Sequence, residues 1–130
     1  MIELAMPVTT GEWYAFCTAI VLMLVALPLI ILPRRFMGLL GLSAEHSTVN
    51  GLSEVRGPFG GYLFGTGLAA ILLAQPLVYL ALGIGFVFMV VGRLLSFVLD
   101  RSFNLHCIVL TVVEATAAVF MCGYGLQIFP

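Results

Sequence analysis

The chain has 130 residues, 62% hydrophobic and 8% charged, with a net charge of -1. A water-soluble domain carries about a quarter charged residues, so this composition excludes a solvated globule and leaves an integral membrane protein whose first partner is the lipid bilayer. Lysine is absent, which excludes the basic footprint of a nucleic-acid binder.

Met1 to Glu12 holds Glu3 and Glu12 but no base, so it lacks the positive start of a cleavable signal peptide. The first apolar run is therefore expected to stay in place as a helix. Trp13 to Leu32 carries no charge over 20 residues, enough to cross a hydrocarbon core. Pro28 lies near its end, where a membrane tolerates it, and Pro33-Arg34-Arg35 closes it. A sizeable loop, 34–53, follows. Its start, Phe36 to Leu42, is too apolar for a solvated linker and is expected to lie in the membrane interface. The second span is placed at about 54–75, ending at Gln75-Pro76. The third runs over 77–99 with Arg93 inside it, and the fourth over 105–129 with Glu114 inside it. The two-residue link Gln75-Pro76 predicts a tight antiparallel hairpin, and 100–104 predicts another short link.

All five arginines gather toward one side of this arrangement: Arg34, Arg35 and Arg56 flank the first loop, Arg93 ends the third span and Arg101 follows it. By the positive-inside rule, loops 34–53 and 100–104 are cytoplasmic and both termini lie on the non-cytoplasmic side. The expected fold is all-α, a single transmembrane domain over 1–130 forming a four-helix antiparallel bundle. Gly57, Gly61 and Gly65, followed by Ala69, repeat every four residues and predict a small-residue face for close helix packing. Gly92 and Ser96 in the third span, with Thr111, Ala115, Ala118 and Cys122 in the fourth, offer matching small surfaces. The three cysteines, Cys17, Cys107 and Cys122, have no paired spacing and read as packing residues.

An ionisable side chain inside a span costs about 2.5–3.5 kcal/mol, so it needs a partner or a wet cavity. Arg93 precedes Asp100 by seven residues, roughly 10 Å along a helix, and Glu114 follows Leu105 by nine, roughly 14 Å. An arginine side chain bridges that difference, which predicts an Arg93–Glu114 ion pair. Asp100, two turns beyond Arg93, is expected to hold the guanidinium from its other side, with Glu54 and Arg56 extending the cluster. Such a cluster is either a clasp fixing helix register or a site for a ligand or ion. His46 in the first loop and His106 at the start of the fourth span do not face each other from within helices, so no haem, metal or other cofactor is expected. No catalytic motif is present, and Glu114 lacks a second group for acid–base work.

Two stretches carry a family resemblance. The first is Asn50-Gly51-Leu52-Ser53-Glu54-Val55-Arg56-Gly57-Pro58-Phe59-Gly60-Gly61-Tyr62, and the second runs from Gly92-Arg93 through Ser96 to Asp100. They resemble the DUF4345 family of uncharacterised bacterial four-helix membrane proteins. The shared pattern is an acid-x-Arg-Gly with paired glycines at one helix start, a Gly-Arg with a following aspartate ending the third helix, and a glutamate in the fourth, here Glu114. After the aspartate the family more usually has a glycine, where this chain has Arg101. The resemblance covers the chain from Pro33 onward and implies the same fold and a bacterial inner (cytoplasmic) membrane. It implies no activity. It marks Glu54, Arg56, Arg93 and Glu114 as motif positions.

Two functions from different classes fit these readings. The first is a structural or accessory subunit, partnered by a larger membrane complex or by copies of itself. The alternative is a binder or carrier of a small amphipathic molecule, lipid or quinone-like, gripped by the buried charges. An enzyme ranks third, for want of a second catalytic group.

Overall fold

A computed structural model describes residues 4–45 and 48–129 of the chain. Among them the regular structure is helical throughout: α1 Thr10–Ile31, α2 Pro33–Phe36, a 3-10 turn Met37–Leu40, α3 Val49–Glu54, a π-helical segment Val55–Gly61, α4 Tyr62–Leu73, α5 Pro76–Leu99 and α6 Leu105–Gly125. Three of these helices, α1, α5 and α6, are long and apolar enough to cross a membrane. Large apolar side chains stand exposed along them, Leu24 at 64% and Phe88 at 68% among them, as a lipid-facing surface requires. The hydroxyls of Thr18, Thr66, Thr111 and Thr116 each donate to the carbonyl four residues back, so these polar groups are satisfied within their own helices.

Capping chemistry and proline set the helix ends. The first helix begins at Thr10, three residues before the expected start at Trp13. Thr9 Oγ1 accepts the Glu12 N–H, satisfying one first-turn donor, and the Glu12 side chain in turn accepts the Val8 N–H just ahead of the helix. Helix α1 stops where Leu32 leaves helical geometry (φ -127°, ψ 60°) ahead of Pro33, the first residue of α2. The second expected span, 54–75, starts earlier and ends earlier. Thr48 Oγ1 caps α3 by accepting the Gly51 N–H at 2.9 Å. From Val49 the α3, π and α4 segments abut without a break to Leu73. Pro58 has no N–H to donate in the helix interior, and around it the hydrogen bonding shifts to the π pattern, with the Tyr62 N–H reaching Gly57 O five residues back. Ala74 (φ 47°) and extended Gln75 then turn the chain into Pro76.

The chain divides into two compact units, and the division falls inside α1 and near the end of α4. The first unit takes the described residues up to Thr18 and those from Leu72 onward. Its backbone is the α5–α6 hairpin. Position 83 meets Cys122 and position 80 meets Gly125, the numbers rising on one helix as they fall on the other, as antiparallel neighbours must. A Cβ added at Gly83 would sit 2.8 Å from the Cys122 backbone nitrogen and 3.2 Å from the Met121 carbonyl carbon, so its absence permits a close approach of the two helices. Tyr79 crosses Tyr124 edge to face at 5.3 Å, and Tyr14 stacks on Phe120 at 5.1 Å. The last helix ends at Gly125 rather than at the expected Phe129. Gln127 adopts φ 57°, and the N–H groups of Ile128 and Phe129 both turn back to donate to Gly123 O. Phe129 then lies over Gly123 and Gly11, where any side chain would displace it.

The second unit is Ala19–Ile71. Its core joins Leu29 of α1, Met37 of the 3-10 turn and Val55 of the π segment, with Phe36, Leu40, Ala44 and Leu52 packed around them. The apolar stretch beginning at Phe36 forms a helical turn anchored in this core through Met37, and Gly41 (φ 73°) ends it.

Candidate functional site

The first unit brings two of the five expected cluster residues together. Arg93 projects from α5 and Glu114 from α6, a hairpin whose short link is itself well specified. Asp100 caps α5 by donating its N–H to Ser96 O, and Arg101 takes the left-handed φ of 51°. Asn104 caps α6 by accepting the Cys107 N–H at 2.9 Å, and Phe97 meets Phe103 edge to face across the turn. With the hairpin fixed, the Arg93 Nε–H donates to Glu114 Oε2 at 2.6 Å and its Nη2–H to Oε1 at 2.7 Å. The two planar groups meet fork to fork, the strongest form of charge-assisted hydrogen bonding. Glu114 is almost wholly buried, at 9% side-chain exposure, and Arg93 is 26% exposed. Among the described residues this is the sole ion pair, and no buried side-chain polar atom is left without a partner.

The other expected members lie elsewhere. Asp100 does not reach the guanidinium; it accepts the Ser96 Oγ–H at 2.8 Å, and Ser96 Oγ lies 3.0 Å from Ser102 Oγ. Helical side chains lean toward their own N-terminus, so Arg93 leans away from Asp100 although both occupy the same face. Ser96, expected to offer only a small packing surface, stands four residues before Asp100, and that i, i+4 spacing is the signal that points to the bond. Glu54 and Arg56 belong to the second unit, where both are exposed. His106 is exposed in the first turn of α6, and His46 lies outside the described residues.

The expected glycine face is also displaced. Gly57, Gly61 and Gly65 are all exposed, and a Cβ at Gly57 or Gly65 would meet nothing within 4 Å. The close approaches in this unit are at Gly60, where a Cβ would lie 3.0 Å from Ile30 N and 3.2 Å from Leu29 C, and at Gly67, 3.2 Å from Ala19 O. The buried positions of the run are Val55, Gly60, Gly67 and Ala70. Val55 and Gly60 are five apart because the π segment holds an extra residue per turn, and that residue rotates the four-residue glycine repeat off the packing face. In the hairpin, Gly92, expected to offer a small packing surface, likewise meets nothing within 4 Å, and the close contact falls at Gly83 instead.

A family model described as a domain of unknown function (DUF4345) matches residues 12–124. The chain belongs to that family. No curated protein and no solved structure matches it. Within the DUF4345 region fall both halves of the Arg93–Glu114 pair and the whole helical run Val49–Leu73. The match also contains Arg101, whose positive φ is the conformation that glycine adopts freely.

Proposed function

We propose that the chain is a structural or accessory subunit of a membrane complex in which Arg93–Glu114 is a clasp that sets the register of α5 against α6. The observation that carries this reading is the bidentate pairing itself: both carboxylate oxygens and two guanidinium nitrogens are engaged within the chain. A charge held for a ligand would be left open to it; here each charge is neutralised by the other. In this reading the run Val49–Leu73 supplies a fourth crossing, making a four-helix bundle. The arginine-bearing loops 34–53 and 100–104 face the cytoplasm across a bacterial inner membrane, and both termini face away, an orientation supported by the positive-inside rule.

The binder of a small amphipathic molecule remains the second reading, favoured by the partial exposure of Arg93, whose Nη1 takes no part in the pair. Purification in mild detergent separates the two. The accessory role predicts co-isolation of a stoichiometric membrane partner that survives in Arg93→Gln/Glu114→Gln. Native mass spectra showing instead a bound small molecule, lost in Arg93→Gln and Glu114→Gln while helicity is retained, establish the binder and overturn the clasp.

A further inference from the structure

The second unit holds three arginines that the clasp does not use. Arg34 and Arg35 sit in the single turn of α2, and Arg56 in the π segment; all three line one open groove of about 330 Å³. Among the described residues none of the three has an acidic partner, and all are exposed. Glu54 is two residues from Arg56, and side chains two apart on a helix do not face each other. The rest of the groove is apolar and comes from Ile31, Leu32, Pro33 and Leu52.

The groove is built in, because its walls are anchored by the core beneath. Leu29 and Met37 bracket the Pro33–Phe36 turn, Val55 immediately precedes Arg56, and these three side chains pack together. All three arginines line this groove, and like charges along one groove raise the local potential and favour an anion there. Guanidinium groups suit phosphate in particular, since their planar forks bond its oxygens in pairs. The position decides which phosphate. The groove opens where α1, a membrane-spanning candidate, gives way to its first polar residues, and the exposed Ile31 and Leu32 lie beside the arginines. A free phosphate has no use for that apolar wall, whereas acyl chains do.

We propose that Arg34, Arg35 and Arg56 bind the phosphate of an anionic phospholipid, whose chains lie along Ile31, Leu32 and Leu52. This site is separate from the Arg93–Glu114 pair and stands whether or not that pair is a clasp.

The test uses the full chain in mild detergent, titrated in native mass spectrometry with phosphatidylglycerol or with phosphatidylcholine of the same chain lengths. The expected result is preferential retention of phosphatidylglycerol. Each Arg→Gln change at the three positions weakens it about five-fold, and the triple change about 100-fold, since a basic residue near the membrane surface contributes about a factor of five. Arg101→Gln, outside the groove, leaves binding unchanged. Circular dichroism checks that the triple variant keeps its helices; if it does not, the three single variants and the charge-preserving Arg→Lys triple decide. Equal retention of the two lipids, or unchanged phosphatidylglycerol binding in folded variants, overturns the proposal. Displacement of the lipid by equimolar inorganic phosphate would show an anion site without lipid preference and overturn it equally.

Discussion

Replacing Glu114 by glutamine removes the charge opposite Arg93 while keeping the shape of the side chain. In the native hairpin the guanidinium makes two bonds, at 2.6 and 2.7 Å, to a carboxylate with 9% exposure. The amide keeps one oxygen acceptor, so one charge-assisted bond is lost outright, about 1.5–3 kcal/mol. The cation is then left without its counter-charge. Full burial would put the cost of such a broken pair at about 3–5 kcal/mol, but Arg93 is 26% exposed and lies roughly 10 Å from the helix end, so part is recovered as the side chain reaches toward polar surroundings. The expected loss for Glu114→Gln is therefore about 2–3 kcal/mol, or about 30- to 150-fold in the unfolding equilibrium. Arg93→Gln is expected to cost a similar amount, because it strands a buried carboxylate. The double variant strands neither, and its loss is expected to fall short of the sum by about 2 kcal/mol. Reversible unfolding in mixed micelles, followed by circular dichroism for all four proteins, gives the coupling directly. Strict additivity of the two single losses would refute the clasp, since independent residues add and a shared bond does not.

The remaining predictions concern the backbone. Gly60→Ala puts a methyl 3.0 Å from Ile30 N and is expected to destabilise the chain by about 1–3 kcal/mol in the same assay, while Gly57→Ala, with open space around it, is expected to be neutral or slightly stabilising. Gly83→Ala, 2.8 Å from the Cys122 nitrogen, is expected to separate from Gly92→Ala in the same way, the first costing about 1–3 kcal/mol and the second nothing measurable. Arg101→Gly relieves a left-handed residue and is expected to raise stability by about 0.5–1 kcal/mol; a loss of stability would mean that the Arg101 side chain contributes more than its backbone strain costs.

Several features were legible because they depend on local rules alone. The lengths of the apolar runs place α1, α5 and α6 to within a few residues, since a hydrocarbon core demands about 20 apolar positions however the helices later pack. The Arg93–Glu114 contact followed from depth: two charges at similar distance from the same helix ends, on neighbouring helices, have few other ways to avoid lipid. Where the expectation assumed one uninterrupted helical period, it failed. The repeat of Gly57, Gly61 and Gly65 predicts a packing face only in a regular α-helix, and the π segment at Pro58 moved that face to Gly60 and Gly67. Asp100 shared a face with Arg93 yet bonded Ser96, because side-chain direction, and not spacing alone, decides who meets. The final residues read as helix because they are apolar, and hydropathy is blind to the left-handed turn at Gln127 that folds Phe129 back onto Gly123.

By itself, then, the order of residues determined which solvent the chain is suited to, where the long helices run, and which two charges must meet, for each of these is a matter of transfer free energy counted along the chain. Tertiary structure decided which glycines touch a neighbour, that Glu114 takes both forks of Arg93, and that Arg56 shares one groove with Arg34 and Arg35. Those outcomes depend on the rotation of each helix about its axis and on which backbones come into contact, and neither quantity exists until the helices are packed.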